Sequence, residues 1–192
     1  MARTKEFDPE VALQRALELF WERGYEATSM SDLVERLGVA RASVYATFGG
    51  KRELYLKALE RYLEQGDVVE PLSQPGPALP ALRAFLDRYV AECLADELRR
   101  GCLVVNTAVE LAGRDPVAAR KVAASWAELE TALASSLVRA RAQGEIPAGK
   151  DPHALARFLL VLLQGIRVLG RADPDPRRLR DAVDQAMKAV QI

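Results

Sequence analysis

The side chains that could do chemistry in this chain are few, and they are not those of an enzyme. Among its 192 residues there is one histidine, His153, and there are two cysteines, Cys93 and Cys102. A di-metal helical bundle needs repeated Glu-x-x-His pairs and a zinc protease needs His-Glu-x-x-His, and a single histidine builds neither. The cysteines are not spaced as C-x-x-C, and two are too few for a disulfide framework. The expectation is therefore no catalytic residue, no metal and no cofactor. A different chemistry is concentrated in Arg41-Ala42-Ser43-Val44-Tyr45-Ala46-Thr47-Phe48, with Lys51 and Arg52 just beyond. From Val39 to Arg52 there are three basic residues and no acidic one. Short hydroxyls and cations are the groups that hold phosphate oxygens. The whole chain has 27 basic and 27 acidic residues, so any polyanion site must be a local patch.

Such a patch needs elements to hold it. Apolar residues are 49% and charged residues 28%, globular values that exclude wholesale disorder. The apolar spacing is helical nearly throughout, without alternating strands, so the expected fold class is all-α. Asp-Pro recurs at 8-9, 115-116, 151-152, 173-174 and 175-176. Asp caps a helix N-terminus and Pro suits the first helical position, so at least four of these pairs read as helix starts. A first helix begins at Asp8-Pro9. A second begins at Ser29, with Asp32 in a capping-box position, and stops at Gly38. A third covers about 41–47 and a fourth starts near Lys51. Pro71, Pro75, Pro77 and Pro80 interrupt residues 66–80, which read as a linker. Longer helices follow at about 81–99, 102–112, 116–143, 152–171 and 176–190. The expected organisation is a helix-turn-helix unit over 1–50, a connecting helix over 51–65 and a helical body over 66–192.

Two short helices joined through Gly38 have helix-turn-helix spacing, in which the second helix enters the DNA major groove. Here the chain resembles the tetracycline-repressor (TetR) family of bacterial transcription regulators. Phe20, Gly24-Tyr25, Ala27-Thr28, Leu33, Gly38-Val39, Val44-Tyr45, Phe48, Lys51 and Glu53-Leu54 carry the resemblance. It implies a homodimer with DNA-binding heads and ligand-binding bodies, mostly a repressor released from double-stranded operator DNA by a small-molecule effector. By position it places Ala42 and Ser43 at base edges, with Arg41 opening the recognition helix. It places Thr28, Tyr45, Thr47 and Lys51 at phosphates. Ala40 departs from the pattern, standing where Ser or Thr usually caps that helix, and Thr47 stands where an aromatic or His is common.

The body offers further candidates. Phe158 to Leu163 is a six-residue apolar run, too short to cross a membrane and apolar on every side. Partners on all sides imply a homodimer through residues 152–190. Phe85, Tyr89, Trp126 and Phe158 are candidate pocket aromatics, with Asn106 and Gln164 as polar anchors. No charged residue is interleaved on their seams, so the expected effector is a small, largely apolar, uncharged molecule. Cys102 follows Arg99, Arg100 and Gly101 where the pattern starts a helix, so that a thiolate there would be stabilised and could sense oxidants or electrophiles. The competing reading makes it a small buried hydrophobe. The first eight residues hold no apolar leader, so the expected location is cytoplasmic and away from the membrane.

Overall fold

A computed structural model describes residues 7–66 and 69–191, and all regular structure among them is helical. The head comprises α1 (Pro9–Arg23), α2 (Met30–Leu37) and α3 (Arg41–Phe48), and α4 (Lys51–Gln65) leads out of it. The body comprises α5 (Glu70–Ser73), α6 (Ala78–Ala95), α7 (Leu103–Glu110), α8 (Pro116–Ala142), α9 (Pro152–Ala172) and α10 (Pro176–Gln191).

The helix starts follow capping chemistry. The carboxylates of Asp8, Asp115 and Asp151 accept backbone N–H bonds from the first turns of α1, α8 and α9. Asp175 does the same for α10, accepting from Arg177 N and Arg178 N. The fifth pair, Asp173-Pro174, instead closes α9. Ser29 and Asp32 form a reciprocal capping box on α2. Ala40 makes no side-chain cap on α3, which costs about 1 kcal/mol against a capped helix.

The largest differences from the sequence reading are α5, a short helix inside the segment read as a linker, and the two ends of α6. α6 starts at Ala78 rather than 81, because Pro80 falls in the first turn, where its missing N–H has no helical partner to lose. It ends at Ala95 rather than 99. There the Asp96 carboxylate turns back to accept from Arg100 N and Gly101 N, and Arg99 adopts a positive φ of 50°.

The hydrophobic cores do not divide at the proline-rich segment. One core joins α1 to α4 with Leu103, Val104 and Leu111 around α7 and Ala118 and Val122 of α8. The other joins α6, the second half of α8, α9 and α10. The head is thus built onto α7 and the start of α8.

α9 is long and apolar enough, by length and composition, to cross a membrane. In the fold its Leu159, Leu163 and Ile166 pack into the body core. Its opposite face carries Phe158, Val161, Val168 and Leu169 at 40–72% exposure. Of the apolar residues of α10, Leu179, Val183, Ala186, Met187 and Val190 are buried within the protomer and Ala182 is half-buried. The outward residues Arg177, Arg180, Asp181 and Lys188 are polar. The sequence pattern had matched both helices to a partner subunit, but α10 spends its apolar stripe on α6 and α9.

Candidate nucleic-acid interface and effector cavity

The turn between α2 and α3 aims the third helix outward. Gly38 sits at φ 69°, a left-handed conformation that side chains with a Cβ resist, and it lets the chain reverse within one residue. Leu33, Leu37, Val44 and Phe48 are buried and seat α2 and α3 against α1 and α4. That leaves Arg41, Ala42, Tyr45 and Thr47 exposed and Ser43 half-buried on one helix. Tyr45 is 45% exposed despite its apolar ring. The Arg41 guanidinium lies 5.8 Å from the Tyr45 ring centre. Lys51 opens α4 nearby, its Nζ 4.2 Å above the Tyr25 ring, which leaves an ammonium at a helix N-terminus.

Two neighbours are otherwise engaged. The Thr28 side chain is fully buried, and its hydroxyl donates to Gly24 O at 2.7 Å. It therefore has no hydroxyl turned to a phosphate: a helix-preceding threonine closes its own turn first. Arg52 donates to both Asp115 carboxylate oxygens, at 2.6 and 3.0 Å. The basic patch of the sequence is thus reduced in space to Arg41 and Lys51.

The head is fastened to α7 and the start of α8. The Glu110 carboxylate accepts from Tyr25 N at 2.7 Å and Glu26 N at 3.1 Å. Gly24 makes this approach feasible, because a Cβ there would collide with the Glu110 carboxylate. Tyr55 Oη and Thr107 Oγ1 share a buried bond of 2.8 Å, and burial pushes the Tyr55 hydroxyl up to about 12. Asp115 is held down to about 2, first by hydrogen bonds from Arg52 and then by the backbone N–H groups of α8. At the other end of α7, Trp21 Nε1 donates to Gly101 O at 2.8 Å, and Arg100 lies 4.1 Å over the Trp21 ring.

A cavity of about 650 Å³ opens between α1, α4, α6, α7, α8 and α9. Of the residues named from the sequence, Tyr89, Trp126, Gln164 and Cys102 line it. Phe85, Asn106 and Phe158 do not. Phe85 is buried in the body core. The Asn106 amide donates to Arg100 O at 3.0 Å and so satisfies itself within the protein. Phe158 lies on the exposed face of α9, 45% accessible. These three corrections have one cause: helical period locates a face, but only packing decides what that face meets.

The walls also include residues that periodicity passed over, namely Trp21, Tyr62 and Arg167. The expectation of an uncharged lining does not hold, since Arg88, Glu92, Lys121, Glu128 and Arg167 contribute to it. Arg167 is the most buried of these cations, its side chain 15% exposed. It stacks 3.8 Å from the Tyr89 ring centre and donates to Glu92 at 3.1 Å. Burial opposes its charge, while the facing Tyr89 hydroxyl favours it. An arginine set between Ile166 and Val168 in the apolar α9 was the available signal. Burial also raises the Tyr62 hydroxyl well above its ordinary range, with Cys102 adding to the shift, and pushes Tyr89 up to about 12. Both phenols stay neutral.

With this geometry in place, known proteins can be compared. Residues 12–58 match the profile of bacterial regulatory proteins of the tetR family. Residues 78–189 match the tetracyclin repressor-like C-terminal domain. The chain belongs to the TetR family. It is 38% identical to YezE of Bacillus subtilis, an HTH-type transcriptional regulator, over 99% of this chain and 100% of that one. It is 32% identical to the transcriptional repressor ComR of Escherichia coli, over 88% of this chain and 82% of that one. Among solved structures, a cysteine variant of the TetR regulator CifR bound to 26-base-pair operator DNA superposes with a TM-score of 0.85. It is 31% identical and covers 98% of this chain and 100% of that one. The protein is a DNA-binding transcriptional regulator of the helix-turn-helix class, with an N-terminal head and a C-terminal helical body.

Proposed function

We propose that the protein is a homodimeric cytoplasmic repressor that holds a palindromic operator and releases it when a small molecule enters the body. The observation that carries the reading is the exposed face of α3, with Arg41, Ala42, Ser43, Tyr45 and Thr47 presented by a helix whose other face is buried. Arg41, Ala42 and Ser43 read base edges, and Tyr45, Thr47 and Lys51 hold phosphates. In the dimer the two α3 helices lie about 34–36 Å apart, one turn of DNA.

The dimer forms on the exposed stripe of α9, Phe158, Val161, Val168 and Leu169. The small residues Ala127, Thr131, Ser135 and Val138 of α8 line a groove beside it with His153. A helix apolar on both faces needs a partner on both. Release runs through α7. Cys102, its N-cap, and Val104 wall the cavity, while Glu110 at its other end holds the turn after α1. A ligand that favours a displaced α7 thereby favours heads off operator spacing. The test is operator selection from random DNA, followed by titration of salt. Binding by Lys51→Ala and Tyr45→Ala indistinguishable from wild type at every salt concentration would refute the interface.

A second reading rests on Cys102 itself, which is half-buried and lines the cavity rather than being sealed in the core. In it, alkylation or oxidation of Cys102 releases DNA. Release by a quinone that persists in Cys102→Ser would exclude it. Cys93 is buried with its thiol directed to Ile166 O at 3.6 Å.

A further inference from the structure

We propose that the cavity selects a small carboxylate: an apolar, flat or branched body whose single negative charge is seated against Arg167 and Trp126. The inference rests on the ligand-released reading above and names the class of ligand.

The walls mix donors with acceptors, and two of the donors stand unused. Tyr62 and Tyr89 present neutral hydroxyls, because burial raises both. The Gln164 amide nitrogen is committed to Leu160 O at 3.2 Å. Two wall nitrogens, Trp126 Nε1 and Arg167 Nε, are sealed from water and have no hydrogen-bond partner. A buried N–H without an acceptor is costly, and an arriving acceptor recovers that cost. Both side chains belong to the cavity wall, so the unpartnered donors lie on residues that a bound molecule touches.

The other cations are already matched. Lys121 is paired with Glu60. Glu92 takes Arg88 at 3.5 Å and Arg167 at 3.1 Å. Glu128 is exposed at the rim. Arg167 gives one terminal nitrogen to Glu92 and keeps its Nε unpartnered, so part of its planar fork is unused, and such a fork suits a carboxylate. A dianion would meet Glu92 and Glu128 with a single guanidinium to offset them. The rings of Trp21, Tyr62, Tyr89 and Trp126 supply flat apolar wall, and a cavity of about 650 Å³ has room for a molecule of that kind.

Both tryptophans of the chain line the cavity, so intrinsic fluorescence reports occupancy directly. Phenylacetate and hexanoate are titrated against phenylacetamide and hexanamide, with operator release followed in parallel. The carboxylates should bind about tenfold tighter than their amides, as expected for a charged hydrogen bond. Arg167→Gln should abolish the preference while leaving the amide affinity in place. Arg167→Lys should keep part of it, since it retains charge without the fork. Should Arg167→Gln fail to fold, Trp126→Phe should narrow the preference and circular dichroism verifies its fold. Amides binding as tightly as the acids overturns the carboxylate assignment, and if they also release operator the ligand-released reading stands. A preference that survives both variants overturns it as well. If no probe perturbs the fluorescence up to its solubility limit, the assignment and the ligand-released reading fall together.

Discussion

The face of α3 and the cavity in the body are built in opposite ways. Every candidate read from the sequence for DNA falls between Thr28 and Lys51, held by one capping box and two left-handed glycines, Gly38 and Gly49. The cavity draws Trp21 from α1, Tyr62 from α4, Tyr89 from α6, Trp126 from α8 and Arg167 from α9. The first site is fixed by neighbours in the chain, the second by how helices cross. A local site keeps its geometry if the rest of the molecule shifts. A site made from several helices changes shape whenever one of them moves, which suits a sensor. α7 joins the two, with Trp21 bonded to Gly101 before it and Glu110 gripping the head at its end.

The contrast can be broken most severely at the exposed stripe of α9 proposed as the dimer interface. Val161→Glu places a charge on a side chain that is 72% exposed in the protomer. It should leave the fold intact, convert dimer to monomer by light scattering, and weaken operator binding on the order of a hundredfold through lost bivalency. A variant that remains dimeric would place the interface elsewhere.

Next in size are the positions proposed to face bases. Substituting Arg41 or Ser43 should change sequence preference at one operator position by about 1–3 kcal/mol, read from competition between operator variants. Lys51→Ala should instead weaken all sequences alike and lower the salt slope by about one.

The link between the two sites is tested by Glu110→Gln. It keeps size but replaces a charged acceptor of two backbone N–H bonds. The expected loss is about 1–3 kcal/mol of unfolding free energy, seen as a lower urea midpoint. Effector response should weaken as well, since α7 no longer holds the turn after α1.

The smallest effect is pH-dependent. Asp115 has a folded-state pKa of about 2, below its ordinary unfolded value. The unfolded chain therefore binds more protons in acid, so the contribution of Asp115 is fully present above about pH 4 and is lost as pH falls towards 2. Asp115→Asn should be less stable than wild type at neutral pH, and the gap should close in acid. A gap independent of pH would mean that the Arg52 pair contributes nothing through charge.

Much of the head was legible residue by residue. Ser29 and Asp32 announce a helix start because their side chains can close on each other's backbone, and they do so. Asp115-Pro116 and Asp151-Pro152 place α8 and α9 for the same local reason. The absence of a cap at Ala40 was equally readable. Less legible were side chains whose role depends on a distant partner. Thr28 looks like a phosphate ligand until Gly24 O is found within reach of its hydroxyl. Arg52 looks like part of a basic patch until Asp115 arrives from α8.

In the body the sequence alone determined the helices, their approximate lengths and the surplus of apolar surface on α9, because capping and period act over a few residues. Only the tertiary structure decided where each face went. It put Phe158 outside and Trp21 and Arg167 in the cavity wall, and it satisfied Asn106 internally with Arg100 O. It also placed Leu103 and Leu111 around α7 in the core of the head rather than in that of the body. The physical reason is that a helix specifies which residues share a face, whereas the partner of that face is chosen by close packing of the whole molecule.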